Sequence, residues 1–585
     1  MKEALLAHLV FLYGEKTGKA AQEKLIELIE RYRPHIPTPN SSGLSESDAI
    51  LITYGDQVND PGLPPLYSLT SFCQKYLRGV VNGVHILPFY PSSSDDGFSV
   101  IDYRKVDPAL GTWEDIQALG SDFRLMFDAV INHISAQSDW FQGFLLGKQE
   151  YQDRFIVIEG RPDLSQVVRP RTLPLLTEFD TPAGKKKVWT TFSADQIDLN
   201  YQNPQVLLEI LETLLFYVAQ GAQFIRLDAI AYLWKEVGTA CIHLPQTHRV
   251  VQLIRSMLDD VAPHVQIITE TNVPHSENIS YFGDGRDEAQ MVYNFALPPL
   301  VLHTFQTGDA RAISRWAAGL ELPSDKVTFF NFLASHDGIG VTPAKGLILS
   351  AEIQAIVERA LAHGGLVSYR TNPDGSRSPY ELNINYFDAL SDPHGGEPLQ
   401  MQVERFVAAH ALLLSFLGVP AIYFHSLFGS RGWREGVNLT GRNRTINRQK
   451  LQGIDLEVDL ADAGSLRSMV FRCLARLLAR RAAHPAFHPH GRQKVLELDK
   501  AVFAVLRASP HGRQQVLCLH NVSNQPVSVT IDLQDLFVEP YETLVDLVTQ
   551  ARFTVKHPLS LIFEPYQAIW LDPVRIPAQE GSDMR

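Results

Sequence analysis

The 585-residue sequence contains little cysteine and none of the spacings that give cysteine a structural role. Its four cysteines are far apart and form no CxxC pair: Cys73, Cys241, Cys473 and Cys518. Disulfide frameworks and structural zinc sites both need cysteines at close, repeated spacing. The sequence therefore predicts neither of them, and it fits a reducing cytoplasm.

Long runs of like charge and long apolar runs are missing as well. The formal net charge is −13, and no stretch of five or six residues carries a single sign. Nucleic acid and membrane surfaces are therefore not expected as partners. Residues 1–32 have apolar residues at helical spacing but charges throughout, which predicts neither a signal peptide nor a membrane span. We expect small-molecule partners and no metal, and a homodimer stays open.

What the sequence does contain is the composition of a folded globular protein, with 45% hydrophobic and 20% charged residues. Eight short apolar runs recur between helix-like stretches. They are AILITY (49–54), GVHILPF (83–89), RLMFDAVI (124–131), QFIRLDAI (223–230), QIITET (266–271), MVYNF (291–295), VTFFNFLAS (327–335) and VPAIYF (419–424). Buried strands that alternate with helices are typical of a parallel sheet, and eight of them close a barrel. We therefore predict an α/β fold built on a (β/α)8 TIM barrel.

The regions around this barrel set the predicted domain limits. Residues 1–46 predict a helical extension of two amphipathic helices that ends in a polar linker, and residues 47–494 predict the catalytic barrel. Two connections are too long for simple crossovers, so we predict inserted subdomains at about 134–220, after the third strand, and at about 341–400, after the seventh. Residues 495–585 alternate strand and turn signals, which predicts a C-terminal antiparallel β domain.

Polar residues follow several of the predicted strands. They are Asp56, Asp128, His133, Arg226, Asp228, Glu270, His336 and Asp337. Each alone is more often a cap, an ion pair or a satisfied histidine than a catalyst. The carboxyl ends of barrel strands meet at one rim, however, and enzymes of this fold keep their catalytic residues there. Together these positions predict an active site.

Two of these carboxylates suit double-displacement glycoside chemistry. Asp228 and Glu270 end neighbouring strands and can approach to the roughly 5–5.5 Å that this chemistry needs. Arg226, in FIRLDAIAY, points to the same face as Asp228 and should keep it ionised, although an isolated structural ion pair is the alternative. Glu270, in a drier setting, should have a raised pKa and act as acid and then base. Asp337, paired with His336, could accept two sugar hydroxyls and stabilise an oxocarbenium-like transition state.

Four stretches in order, DAVINH, IRLDAIAY, IITETN and ASHDG, resemble the sequence blocks of the α-amylase-like glycoside hydrolase clan. The resemblance covers the barrel from about residue 48 to 450. It implies that Asp228 is the nucleophile, Glu270 the acid/base and Asp337 the transition-state stabiliser. The glucosyl ligands that it implies are His133, Arg226 and His336.

Further stretches are similar to the sucrose phosphorylase branch of this clan. LPFYPSSSDDGFSVIDYRKVDPALGTWEDI and VWTTFSADQIDLNY are typical of the branch, and the second carries Phe192 for the sugar platform. VVRPRTLPLL resembles the mobile loop of these enzymes, which implies that Arg171 meets phosphate. The resemblance also implies that Asp56 and Arg444, in GRNRTINR, grip the far hydroxyls of a single glucose. An exo-acting pocket would follow.

The second insert bears on which molecule accepts the glucosyl group. Sucrose phosphorylases have glutamine after a tyrosine there, whereas this chain has Tyr380 followed by Glu381, which argues against fructose as the acceptor. YLWKEVGTACIHL and NPDGSRSPYE are most similar to the glucosylglycerate phosphorylases. That resemblance implies retaining, reversible phosphorolysis of 2-O-α-glucosylglycerate, with inorganic phosphate as a substrate and no cofactor. Both acceptors, phosphate and glycerate, would be anions. Arg171 is the first candidate to bind them, and Arg169 or the lysines of GKKKVW (184–189) are weaker ones. The alternatives are phosphorolysis of sucrose or sucrose 6′-phosphate, an α-glucosidase, and a silent carbohydrate-binding barrel.

Overall fold

A closed barrel of eight parallel strands forms the centre of the protein. The structure, a computed structural model, describes residues 2–38, 43–372, 376–534, 536–538, 541–555 and 558–575. The barrel strands are β1 (Ile50–Thr53), β2 (Gly83–Ile86), β3 (Arg124–Ala129), β4 (Ala222–Leu227), β5 (Gln266–Thr269), β6 (Met291–Tyr293), β7 (Thr328–Asn331) and β8 (Val419–Tyr423). Each strand pairs with its neighbour in the chain, and β8 pairs with β1. The predicted (β/α)8 barrel is confirmed.

The barrel strands are apolar because helices cover the outer face while side chains fill the interior. Every residue of β1, β2, β5, β6, β7 and β8 is buried. The α-helices are Lys2–Tyr32, Pro65–Tyr76, Trp113–Gly120, Asp139–Leu145, Pro204–Ala219, Pro245–Val261, His275–Asn278, Leu297–Thr307, Arg311–Ala318, Ser350–Ala362, Tyr386–Leu390, Leu399–Ser415, Phe424–Leu427, Arg434–Thr440, Gly453–Ala461 and Leu466–Ala482. Within the described part of the chain, no helix has the length and apolar character needed to cross a membrane.

The N-terminal extension consists of two helical stretches. Helix Lys2–Tyr32 is interrupted at Gly14, whose φ of 77° lies in the left-handed region that glycine adopts without steric cost. The stretches lie so close together that a Cβ at Gly18 would come within 2.8 Å of the Val10 backbone nitrogen. They pack on the barrel helices Pro204–Ala219 and Pro245–Val261. Residues 39–42 of the predicted linker lie outside the described residues.

Two inserts add short sheets at the carboxyl end of the barrel, after β3 and β7 as predicted. The strands after β3 are His133–Ser135, Val157–Ile158, Leu176–Thr181, Gly184–Trp189 and Gln196–Asp198. Those after β7 are Ile339–Gly340, Leu366–Thr371 and Arg377–Asn383. A small parallel pair, Val58–Asn59 and Leu451–Gln452, also lies outside the barrel sheet. The inserts bring distant chain segments to one rim of the barrel.

The basic segment GKKKVW forms a strand of the first insert, Gly184–Trp189. It pairs on one side with Leu176–Thr181 and on the other with Val157–Ile158. Lys186 lies 3.7 Å from Glu159, and Lys187 lies 3.9 Å from Glu178. These contacts place the charges of the run on the surface of a small sheet.

The C-terminal residues form antiparallel sheets, as predicted. Their strands are Arg492–Leu496, Val502–Ala508, Gln515–Asn521, Val527–Ile531, Tyr541–Asp546, Arg552–Thr554, Leu559–Phe563 and Ala568–Arg575. One face has its own apolar core around Leu517, Leu544 and Leu571. The other face, with Phe503 and Trp570, joins the core of the barrel. The predicted limit at residue 495 falls inside a strand and stays a prediction, and residues 576–585 lie outside the described residues.

Candidate active site

The carboxyl ends of the barrel strands and the two inserts enclose a pocket. The predicted residues that line it are His133, Arg171, Phe192, Asp228, Glu270, His336, Asp337, Tyr380, Glu381 and Arg444. These residues come from many separate segments, so the fold brings together what the sequence places far apart. Among the described residues, no three His, Cys, Asp or Glu side chains are grouped as a metal site would require.

Arg226 connects the barrel interior to this pocket. Its guanidinium lies 2.5 Å from Asp128 and 2.7 Å from Asp228. The register of β3 and β4 sets Arg226 directly beside Asp128. His85, on β2, donates from Nε2 to the second oxygen of Asp128 at 2.7 Å. Asp128 therefore anchors the arginine, and the arginine carries positive charge to Asp228, so the pair is more than an isolated ion pair.

Glu270 follows β5 and shares Arg226 with Asp228. The distance from Arg226 Nη2 to Glu270 Oε2 is 3.9 Å, and the Ala229 amide donates to the same oxygen at 3.0 Å. Ala229 has a φ of 48°, in the left-handed region that a residue with a Cβ occupies only at a cost. This strained turn, directly after Asp228, aims the amide at Glu270. The two carboxylates therefore meet at one arginine.

Burial raises the pKa of both carboxyl groups. It raises the pKa of Asp228 to about 8, with Arg226 opposing the rise and the charge of Glu270 adding to it. Burial also raises the pKa of Glu270, again opposed by Arg226. The sequence predicted a raised pKa only at Glu270, and the structure differs because both groups lie in the same dry pocket. The shorter Arg226 contact favours the charge on Asp228 and the proton on Glu270.

Asp337 follows β7 and lies against positive charge. Arg444 is 2.6 Å from its Oδ1, and Arg448 is 3.7 Å from the same atom. Burial favours a higher pKa for Asp337, but Arg444, His336 and Arg448 outweigh it and hold that pKa well below its usual range. Burial lowers the pKa of His336 to about 3, and its ring stacks on Phe98 with 4.7 Å between centroids. Asp337 is thus ionised and His336 neutral near pH 7.

Glu381, the residue that replaces glutamine, is buried beneath Arg444. Its two oxygens lie 3.2 and 2.9 Å from Nε and Nη2 of Arg444, and the Gly338 amide donates to it at 2.9 Å. A Cβ at position 338 would lie 2.5 Å from Glu381 Cγ, so this approach requires glycine. Tyr380, the preceding residue in the chain, lines the pocket, and burial raises the pKa of its hydroxyl. Glu381 therefore positions Arg444 against Asp337.

His133 and Phe192 form a wall contributed by the first insert. His133 Nε2 donates to the Phe98 carbonyl at 2.8 Å. Burial lowers the pKa of His133, so its ring is neutral near pH 7. The Phe192 ring lies 5.3 Å from the His133 ring and 5.6 Å from the Tyr232 ring, centroid to centroid. An apolar surface beside hydrogen-bonding groups is suited to a sugar ring.

Arg171 lines the pocket and is paired there with an acid that the sequence analysis did not single out. Its Nη2 lies 2.9 Å from Asp95, and its guanidinium lies 5.6 Å from the Phe192 ring centroid. Burial favours a higher pKa for Asp95, but Arg171 and Arg444 outweigh it and lower that pKa. Asp95 and Asp96 both have positive φ, a strained backbone for residues with a Cβ. The only hint in the sequence was the pair of acids in DDGF.

Asp56 requires a correction, because the structure does not bring it to Arg444. It pairs instead with Lys450 at 2.5 Å and is about one-third exposed. A turn after β1, in which the Gln57 amide donates to the Tyr54 carbonyl at 3.2 Å, leads it away from the pocket. Asp56 is not among the described residues that line the cavity. Asp95, in contrast, lines the pocket together with Arg444, whose charge lowers the pKa of Asp95.

Comparison with known proteins agrees with this fold. The family model of the α-amylase catalytic domain matches residues 74–337. The chain is 50% identical to a glucosylglycerate phosphorylase of Allomeiothermus silvanus over 98% of both chains. It is 51% identical to a glucosylglycerate phosphorylase of Spirochaeta thermophila, over 97% of this chain and 98% of that one.

Among solved structures, the sucrose 6F-phosphate phosphorylase of Thermoanaerobacter thermosaccharolyticum matches 88% of this chain and 99% of its own. The TM-score is 0.73 and the sequence identity 25%. The likeness to solved structures extends over most of the chain, and the sequence identity to the first two relatives extends over nearly all of it. The chain belongs to the α-amylase family, in the group that contains the glucosylglycerate phosphorylases.

Proposed function

We propose that the protein catalyses the reversible phosphorolysis of 2-O-α-glucosylglycerate to α-glucose 1-phosphate and glycerate, with retention of configuration. The observation that carries this proposal is the meeting of Asp228 and Glu270 at Arg226, in a pocket that Arg171 also lines. Identity over nearly the whole length to enzymes named glucosylglycerate phosphorylase supports it. In this reaction phosphate is a substrate, and the two steps below use only side chains of the protein.

In the first step, Asp228 attacks the anomeric carbon while Glu270 transfers its proton to the departing glycerate oxygen. The Arg226 contact at 2.7 Å favours the ionised Asp228 that this attack needs. The product is a covalent glucosyl ester of Asp228. Asp337, ionised beside Arg444, accepts ring hydroxyls and opposes the positive charge that develops at the anomeric centre.

In the second step, phosphate attacks the glucosyl carbon from the face that glycerate has left, and Asp228 is released. Glu270, now a carboxylate, removes a proton from the phosphate, or the phosphate dianion supplies its own nucleophilic oxygen. Arg171 exchanges its contact with Asp95 for a charge-assisted contact to the phosphate. Two inversions at the same carbon give α-glucose 1-phosphate from an α-linked donor.

The glucosyl ring is held by groups that surround one sugar. His133, His336 and Arg226 flank the reacting carbon, and Phe192 offers an apolar surface. Arg444, fixed by Glu381 and Asp337, lies between the second insert and the barrel rim. This enclosure favours a terminal glucosyl unit over the interior of a longer chain.

The test is a panel of donors assayed with and without inorganic phosphate: 2-O-α-glucosylglycerate, sucrose, sucrose 6′-phosphate and 4-nitrophenyl α-glucoside. We expect the fastest phosphate-dependent release of glucose 1-phosphate from glucosylglycerate, and anomer-resolved NMR should show the α-anomer first. Preference for sucrose or its phosphate would change the acceptor but keep the mechanism. Glucose release at the same rate with and without phosphate, with no glucose 1-phosphate formed, would indicate an α-glucosidase, and no turnover would indicate a binding protein.

A further inference from the structure

A second cavity, here called the vestibule, adjoins the active-site pocket. It has a volume of about 630 Å³ and shares with the pocket Asp95, Pro170, Arg171, Tyr380, Glu381 and Arg444. Because the two cavities share these walls, a substrate that enters through the vestibule reaches the reacting carbon. A substrate that enters by this route meets the groups that line the vestibule before it reaches the catalytic carboxylates.

Arginines outnumber carboxylates along the vestibule lining, in a protein whose formal net charge is −13. The lining includes four arginines and three side chains with a carboxyl group: Arg171, Arg442, Arg444, Arg448, Asp95, Asp96 and Glu381. A cleft with one excess sign of charge raises the local concentration of ions of the opposite sign. The lining itself therefore has an excess of one positive charge, while Asp337, which lies behind it, pairs with Arg444.

Three of the four arginines are held in close ion pairs. Arg171 lies 2.9 Å from Asp95, and Arg444 lies 2.9 Å from Glu381 and 2.6 Å from Asp337. The third, Arg448, contacts Oδ2 of Asp96 and donates to the His336 carbonyl. An incoming anion must break a close contact before it can bind any of these guanidinium groups in full.

Arg442 is the exception among them. Its Nη1 lies 3.5 Å from Oδ1 of Asp96, a carboxylate whose other oxygen Arg448 already contacts, and its side chain is 54% exposed. Exposed pairs at such distances contribute little, because water screens them. Arg442 can therefore meet an anion at the vestibule without losing a strong partner. The proposed function, on which this inference rests, requires two anions, phosphate and glycerate, to enter here.

We propose that Arg442 recruits phosphate and the glycerate carboxylate at the vestibule and passes them to Arg171, which makes it a specificity residue for anionic acceptors. The first contact costs no close ion pair, and the anion then competes with Asp95 for Arg171. Attraction over several ångströms acts mainly on the rate of encounter and weakens as salt screens it.

The test compares Arg442→Gln with the wild-type enzyme in both reaction directions, at low and at high ionic strength. At low ionic strength we expect kcat/KM for phosphate, and for glycerate in the synthetic direction, to fall about three- to tenfold, with kcat nearly unchanged. The difference should shrink as salt is added. Hydrolysis of 4-nitrophenyl α-glucoside, which needs no anionic acceptor, should keep its wild-type rate.

Two matched variants separate position from charge. Arg442→Lys keeps the charge at the same place and should retain most of the efficiency. Arg472→Gln removes a charge from an exposed position on helix Leu466–Ala482 and should change nothing. Wild-type efficiency for both anions in Arg442→Gln at low salt, or an equal loss on the neutral glucoside, would overturn the inference. Absence of phosphate-dependent glucose 1-phosphate release in the wild type would overturn the proposed function itself. Because that result needs no variant, it can be told apart from a failure of the inference about Arg442.

Discussion

The active-site rim and the junction between the barrel and the C-terminal sheets both bury arginine, but they satisfy it differently. At the rim, Arg226 contacts the carboxylates of Asp128 and Asp228. At the junction, Arg507 is equally inaccessible to water. It donates to the backbone carbonyl oxygens of Ser415, Phe416, His488 and Arg492.

The two environments shift the pKa of the arginine in opposite directions. Burial lowers the pKa of Arg507 to about 10, because carbonyl dipoles satisfy its donors without cancelling its charge. At Arg226, burial acts in the same direction, but Asp128 and Asp228 outweigh it and hold the pKa well above its usual range. Two of the carbonyls that Arg507 contacts end the helix Leu399–Ser415 or follow it, where a cation is favoured. In this comparison, the buried arginine that belongs to the candidate site is the one whose carboxylate partner, Asp228, lines a pocket.

The largest expected effect lies on the rim. Asp228→Asn removes the group that forms the glucosyl ester, so we expect glucose 1-phosphate formation to fall about 10⁴-fold or more. The thermal midpoint should stay near that of the wild type, because the amide still accepts from Arg226. Rates and circular-dichroism melting curves measure the two effects, with Asp325→Asn, an exposed acid, as the control. A loss smaller than tenfold would contradict the assignment.

A pair of variants tests which aspartate, Asp95 or Asp56, belongs to the active-site pocket. Asp95→Asn weakens the partner of Arg171 inside the pocket, and we expect kcat/KM for the donor to fall about hundredfold. Asp56→Asn only loosens the surface contact with Lys450, and we expect a change of at most about twofold. Steady-state kinetics of both variants decide the point. The reverse order of effects would restore the sequence-based placement of Asp56.

The pH dependence tests the shared proton at the rim. Burial raises the pKa of both Asp228 and Glu270, that of Asp228 to about 8, so the pair keeps one proton up to mildly alkaline pH. Above the upper pKa of the pair this proton is lost and Glu270 no longer protonates the glycerate oxygen. We expect kcat/KM for glucosylglycerate to fall about tenfold per pH unit there. With 4-nitrophenyl α-glucoside, whose leaving group needs no proton, the alkaline fall should be much smaller, and equal falls would contradict the role of Glu270.

The smallest effect on activity is expected at the junction. Arg507→Met leaves carbonyls without donors, so we expect the thermal midpoint to fall by about 5 °C. The rate per folded molecule should match that of the wild type, because the arginine contacts backbone carbonyls at the junction and is not among the residues that line the pocket. Differential scanning calorimetry and kinetics measure the two effects, with Arg492→Met, an exposed neighbour, as the control. A large loss of rate with unchanged stability would erase the contrast between the two regions.

Much of the fold could be predicted because its signals are local. Each barrel strand is a short apolar run, and the structure places all eight runs in one closed sheet. Half of the predicted pocket residues could be found for a similar reason, since residues that follow parallel strands share one rim. The others were implied only by the resemblance to known phosphorylases: Arg171, Phe192, Tyr380, Glu381 and Arg444. Asp95 could not, because it lies in a loop after β2 where nothing periodic distinguishes it from Asp96. Glu381 was found, but its burial beneath Arg444 depends on two segments that are far apart in the chain.

The sequence by itself determined the barrel, its two inserts, the C-terminal sheets and the candidate acids Asp228, Glu270 and Asp337. Apolar periodicity and short motifs are local signals, so they can be recognised without knowledge of distant contacts. Only the tertiary structure decided that Asp95, and not Asp56, lies in the pocket, and that burial raises the pKa of Asp228 together with that of Glu270. These properties depend on which remote segments exclude water from one another, and no local stretch of the chain contains that information.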